Sequence, residues 1–226
     1  MLAHERECIE RKVGGSRVRW VTHNALAAPA GPELLVGMDA VVVGGSGDFS
    51  VHDARSRPWI DPIVRLVEAA LELDVPGFGI CFGHQILGEV MGGTVVHDAD
   101  RSEVGTVTLE LTEAGRADPL FAQLENAFRA HTGHTDRVLE VPDGLELLAT
   151  NDTVATQAFR VRGAAFWSAQ FHPDLTGAEA RSRYLAYKAA LDTPTAGHRG
   201  EGTECFEVGS DETSQLLTWF ARRCEP

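Results

Sequence analysis

Two short apolar stretches, each running into glycines and each followed by a helical pattern, restrict this chain more than any other feature. The first, Met38–Val43, is interrupted only by Asp39 and ends in Gly44-Gly45-Ser46-Gly47, as a buried parallel strand does when it opens into a loop. Asp61-Pro62 then predicts a helix start, because Ile63, Leu66, Val67, Ala70 and Leu71 keep helical spacing behind it. The second stretch, Val75–Ile80, leads into Gly79-Ile80-Cys81-Phe82-Gly83-His84. A helix opening follows over Gln85–Met91, closed by Gly92-Gly93. Strand, helix, strand, helix predicts an α/β fold whose parallel sheet is covered on both faces.

Shorter patterns fill the remainder of the chain. Residues 2–13 predict a helix with Leu2, Ile9 and Val13 on one face, and Val18–Val21 a short strand. Beyond Gly93, strand-like runs appear at Thr94–Val96, Val104–Thr112, Phe128–His131, Leu145–Thr150, Gln157–Val161 and Ala165–His172, with turn residues such as Pro142-Asp143-Gly144 between them. Asp118–Phe121 suits a short helix. Thr176-Gly177-Ala178-Glu179 is a capping-box pattern, and a last helix over about 212–223 turns Leu216, Leu217 and Phe220 inward. Residues 192–211, rich in Pro, Gly, Thr and charge, read as a surface loop within one domain spanning 1–226.

Charge and composition exclude several functions. Acidic residues number 33 against 20 basic, a net charge of −13 that argues against nucleic acid or an anionic membrane as partner. No apolar run approaches a membrane span, and the first residues carry no apolar signal core, so a cytoplasmic protein is expected. The cysteines Cys8, Cys81, Cys205 and Cys224 form no Cys-x-x-Cys pair and are expected as reduced thiols. His131 and His134, with His97, Asp98 and Asp100, lack a compact ligand motif, so neither a metal nor a cofactor is expected. Trp59 and Phe49 flank a loop and read as ordinary packing, with a lid as the alternative.

A cysteine between glycines at a strand-to-helix corner has the layout of a nucleophile elbow, with a helix N-terminus that favours a thiolate. A buried cysteine filling a small apolar hole has the same local sequence. If Cys81 is a nucleophile it needs a base. His172, in Gln170-Phe171-His172-Pro173-Asp174, ends an apolar strand, and Asp174 lies where it could hold one ring nitrogen. A strand-end histidine bonded to backbone and an ordinary turn aspartate are the alternatives. An oxyanion would find the Phe82 N–H at the elbow and a second donor in Gly44-Gly45-Ser46. That loop could otherwise cradle a phosphate, although it has neither the Lys-Ser/Thr of a P-loop nor Gly-x-Gly-x-x-Gly spacing.

The segments Gly79–Gln85 and Gln170–Asp174, in this order, resemble the class I glutamine amidotransferases, and most of all stand-alone proteins similar to the glutaminase domain of GMP synthase. The resemblance extends from about Asp39 to Tyr184. It implies a flavodoxin-like three-layer sandwich with a mostly parallel central sheet and additional antiparallel strands. It also implies a cysteine hydrolase in which Cys81 attacks the side-chain amide of glutamine, or of a γ-glutamyl compound, and ammonia leaves a γ-glutamyl thioester that water hydrolyses. By resemblance His172 is base and then acid, Asp174 orients it, Gly45 and Phe82 form the oxyanion hole, and Gln85 contacts the bound glutamine. Gly133, His134, Thr135 and Asp136 would hold its amino and carboxylate ends. A separate synthase subunit would take the ammonia.

Two other functions fit the same motifs: a γ-glutamyl peptide hydrolase, and a non-catalytic binding or regulatory module on this scaffold. The chain also departs from the family pattern at three places. Asp174 stands where glutamate is usual, so it must approach His172 more closely. Ser46 follows Gly45 where proline is common, which predicts a looser oxyanion loop. The family's first strand has no counterpart before Leu2, which predicts a sheet lacking that strand, with edge groups left open.

Overall fold

The computed structural model describes residues 2–13, 18–47, 49–191, 205–209 and 211–224. Its elements in chain order are α1 (Leu2–Val13), β1 (Val41–Val43), α2 (Arg57–Glu72), β2 (Gly77–Ile80), α3 (Phe82–Val90), β3 (Val95–His97), β4 (Glu103–Leu111), α4 (Glu113–Ala117), β5 (Ala127–His134), β6 (Asp136–Val138), β7 (Leu145–Thr150), β8 (Ala158–Val161), β9 (Phe166–Ala169), α5 (Gly177–Leu191) and α6 (Leu216–Arg223). Seven strands form one sheet in the order β1-β2-β9-β8-β7-β4-β5, and β3 pairs with β6 in a separate ribbon. The β1–β2 and β2–β9 pairs are parallel, and the ladders from β9 outward to β5 are antiparallel. The parallel part is thus confined to the three strands beside the cysteine. The antiparallel part is larger than the sequence suggests, with β4–β5, β7–β8 and β8–β9 pairing strands consecutive in that sheet.

Two apolar layers enclose the sheet. Phe78 and Ile80 of β2 alternate onto the face covered by Val13 of α1 and by Leu216, Leu217 and Phe220 of α6. Phe166 of β9 and Val43 of β1 face the opposite layer, with Ile63, Leu66 and Val67 of α2 and Ile86 and Leu87 of α3. Each fully buried side chain of this size contributes about 2 kcal/mol. That arrangement is the three-layer α/β sandwich expected of the sequence.

Local capping signals are realised where they involve neighbouring residues only. The Thr176 hydroxyl accepts the Glu179 N–H at 3.3 Å while the Glu179 carboxylate accepts the Thr176 N–H at 2.8 Å, a complete capping box at the start of α5. Asp118 Oδ1 accepts the N–H groups of Leu120 and Phe121 at 2.8 and 2.9 Å, ahead of a 3-10 turn over Phe121–Gln123. The start of α2 is five residues earlier than Asp61-Pro62 suggests. Pro58 takes the first turn and Pro62 lies inside the helix, buried against the core. Residues 18–24 carry no regular secondary structure, so the expected strand at Val18–Val21 is not present. β1 is accordingly an edge of the sheet, and a cleft of about 680 Å³ separates it from that stretch. Most of the expected 192–211 loop lies outside the described residues. Among the described residues, no helix is long and apolar enough to cross a membrane.

Candidate active site

Cys81 sits at the corner between β2 and α3 with φ 51° and ψ −93°. A non-glycine residue held there costs about 1–3 kcal/mol, and it persists only where its surroundings over-determine it. Here the Cys81 N–H donates to Ala169 O at 2.8 Å, and its carbonyl accepts from His84 N and Gln85 N at 3.1 and 3.2 Å. The flanking glycines give clearance. A Cβ on Gly83 would lie 2.2 Å from Val43 O, and one on Gly79 would lie 2.5 Å from Gly83 O. The unusual dihedral therefore belongs to the cysteine itself, where the sequence suggests the glycines. Behind the corner, buried His84 faces Ser168 Oγ at 2.9 Å and Thr156 O at 3.1 Å, and burial lowers its imidazole to about 3, so it is a neutral scaffold group.

β9 leads past Gln170 to His172, whose N–H donates to His131 O at 2.8 Å. His172 Nδ1 meets Asp174 Oδ1 at 3.0 Å, and the imidazole lines the same cavity as Cys81. Burial alone would push the His172 value down. Asp174 and then Cys81 outweigh it, and the ring is held at about 10, so it is cationic near neutrality. Asp174 is fully buried, which by itself would raise its carboxyl; His172 and Arg183 hold it below the usual 3.8. Arg183 of α5 places Nη1 3.1 Å from Asp174 Oδ2, an ion pair outside good hydrogen-bond geometry. The shorter acid thus reaches the imidazole.

Cys81, Phe82, Gln85, Gly45, Gly133, His134, Thr135, Asp136 and His172 all line one cavity of about 360 Å³, a size suited to an amino acid. Phe82 begins α3, so its N–H has no acceptor within the helix. Gly45 lies against His172, where a Cβ would come within 3.2 Å of the ring. With the cysteine, the imidazole and the Phe82 amide around one cavity, and a carboxylate behind the imidazole, the arrangement can perform acyl transfer.

The family model for class I glutamine amidotransferases matches residues 9–190. The chain belongs to the class I glutamine amidotransferases. A glutamine-hydrolysing GMP synthase of Porphyromonas gingivalis is 31% identical over 154 residues, covering 68% of this amidotransferase and 28% of that protein. One subunit of a glutamine-hydrolysing GMP synthase from Sulfolobus acidocaldarius is 31% identical over 147 residues, covering 65% of this chain and 73% of that subunit. The chain therefore spans little more than a quarter of the Porphyromonas gingivalis synthase. In fold it is similar to a glutamine amidotransferase from Thermotoga maritima, with a TM-score of 0.65, 21% identity and coverage of 81% of this chain and 76% of that one.

Not every residue singled out in the sequence has a free side chain in this amidotransferase. Gln85 lines the cavity but donates its amide N–H to Asp136 O at 3.0 Å. His134 is buried, with Nε2 3.3 Å from Glu103 Oε2. His131 Nε2 lies 3.7 Å from Asp211 Oδ1. Phe49 and Trp59 meet edge to face at 5.1 Å, and Trp59 stacks on Phe82 at 5.5 Å, which is packing that supports the elbow.

Three groups at the site carry no clear signal in the motifs. Gln170 Nε2 donates to Cys81 Sγ at 3.6 Å, Arg183 holds Asp174, and Glu5 Oε1 accepts the Gly45 N–H at 2.6 Å. The first is legible as a neighbour of His172. The other two depend on how α5 and α1 dock.

Glu5 bears directly on the oxyanion loop. Its carboxyl is raised above 4.5 by burial and then by Asp174, against the opposing influence of Arg183, the Gly45 N–H and His172. An anionic Glu5 on the Gly45 amide occupies a donor that a developing oxyanion would need. Glu5→Ala is expected to raise kcat/KM for glutamine by about tenfold at pH 8, the worth of one hydrogen bond to a charged group. The gain should shrink as pH falls and wild-type Glu5 protonates. Steady-state ammonia release across pH 5–8 checks this, and a loss of activity in Glu5→Ala would assign Glu5 to support of the loop.

Proposed function

We propose that this amidotransferase releases ammonia from glutamine through a γ-glutamyl thioester on Cys81. One observation carries the reading: a cysteine in a strained elbow shares one cavity with an imidazole that a buried carboxylate holds. The Cys81 sulfur, its proton on His172, attacks the carboxamide carbon. The C–S bond forms and the carbonyl electrons move to oxygen, to which the Phe82 and Gly45 N–H groups donate hydrogen bonds. Collapse breaks the C–N bond, and the nitrogen takes the His172 proton and leaves as ammonia. Neutral His172 next removes a proton from water, hydroxide attacks the thioester carbon, and glutamate departs as the sulfur is released. Asp174 keeps the ring oriented and stabilises its cationic form.

Gln85, Gly133, His134, Thr135 and Asp136 line the cavity, which supports a role for the Gly133–Asp136 segment in holding the amino and carboxylate ends of glutamine and for Gln85 in contacting it. The Sulfolobus acidocaldarius relative is named as one subunit of a GMP synthase, which supports a separate synthase subunit as the destination of the ammonia.

Purified protein should release ammonia from glutamine faster than it cleaves a panel of γ-glutamyl dipeptides, measured by kcat/KM. The reverse preference would make it a γ-glutamyl peptide hydrolase. No turnover of either class would leave the scaffold as a binding module.

A further inference from the structure

Beside the cavity lies a cluster of which the proposed chemistry uses only Asp136. His52 stands on the turn before α2, His97 ends β3 and Asp136 begins β6. Each directs one ligand atom into a common space, with all three atoms within 4.8 Å of one another. His97 Nδ1 is 2.8 Å from Asp136 Oδ1, and the His52 and His97 rings face edge to face at 6.4 Å. We propose that His52, His97 and Asp136 form a binding site for a divalent transition metal of the zinc type, and that metal bound there shuts glutamine out of the cavity.

Ligand type, spacing and support all bear on this. Two imidazoles and one carboxylate suit zinc-like cations better than magnesium or calcium, which prefer oxygen throughout. Bonds of about 2.0–2.1 Å in a tetrahedral site put ligand atoms about 3.3 Å apart. The cluster therefore needs His97 and Asp136 to part by about half an ångström and His52, exposed on its turn, to move inward. His97 and Asp136 are cross-strand partners in the β3–β6 ribbon, so backbone pairing fixes two of the three ligands. The Ser50 hydroxyl donates to Asp136 Oδ2, orienting the carboxylate as an outer-shell group does at metal sites. A net charge of −13 favours a cation at the surface.

The gating part rests on the glutamine reading above. His97 and Asp136 line the same cavity as Cys81, and the same Asp136 carboxylate would receive the amino end of glutamine. A metal on that oxygen removes the acceptor and adds positive charge where an ammonium group must sit.

The test titrates Zn²⁺ alone into the Cys81→Ala protein by calorimetry, which removes the catalytic thiol as a competing ligand. His52→Ala and His97→Ala are then added singly in that background, with circular dichroism to verify folding. One Zn²⁺ per chain is expected, weakened at least tenfold by either histidine change. Equal Zn²⁺ affinity in folded His52→Ala and His97→Ala proteins would overturn the site. In the Cys81-containing enzyme, Zn²⁺ should raise KM for glutamine, chelator should reverse the effect, and His52→Ala should keep basal activity but resist at least tenfold more Zn²⁺. Binding lost in the histidine variants with inhibition unchanged in His52→Ala would overturn the gating. Binding as described in a protein that releases no ammonia from glutamine would support the site and sink the glutamine reading instead.

Discussion

Cys81→Ala should reduce ammonia release from glutamine by a factor on the order of 10⁴ or more, because a nucleophile acting as a unit with its base leaves little residual catalysis when removed. The protein should still fold. The elbow is held by backbone bonds to Ala169, His84 and Gln85, none of which uses the sulfur. The variant should also still bind glutamine, since Gln85 and Asp136 are untouched. Initial rates of ammonia formation, with a thermal melt of the same preparation, check both halves. Unchanged turnover in a folded Cys81→Ala protein would remove the thioester from the mechanism.

Asp174→Asn is the second large effect. The amide keeps the volume but takes away the charge that holds His172 near 10, and it leaves Arg183 without its ion-pair partner. Turnover should fall by a factor on the order of 10²–10⁴, as expected when the imidazole loses both its tautomer and the partner of its cation. Stability should fall as well, in a defined pH window. His172 has a raised value in the fold, so its contribution is fully present below its ordinary 6.5 and is lost as pH rises through about 10. Asp174 is depressed, so its contribution is present above 3.8 and is lost as pH falls below it. The gap in melting temperature between wild type and Asp174→Asn should therefore be widest between pH about 4 and 6.5 and should close towards both extremes. A gap independent of pH would mean that packing, not charge, is what Asp174 supplies.

How much of this was legible depends on how local each signal is. The elbow, the capping box at Thr176 and the inward face of α6 involve residues a few positions apart, and each is where the sequence places it. The pairing of His172 with Asp174 is equally local. Its meeting with Cys81 follows from the parallel register of β2 and β9, which brings Ile80 opposite Ala169 and so aligns both strand ends.

What the sequence hides is contact between distant segments. Val18–Val21 has the residues of a strand but pairs with no strand among the described residues, and propensity without a partner forms no ladder. Pro62 looks like a helix start, yet burial against the core keeps it inside α2. Glu5 reaches Gly45 across 40 positions because α1 packs beside the oxyanion loop. His97 is one histidine among several dispersed ones until the β3–β6 ribbon sets it beside Asp136.

The most direct test of the thioester mechanism is intact-protein and peptide mass spectrometry after exposure to a diazo-ketone analogue of glutamine. One adduct per chain is expected, located on Cys81, formed with release of nitrogen and prevented by excess glutamine. An unlabelled protein, or an adduct on Cys8, Cys205 or Cys224 that glutamine does not suppress, would contradict it.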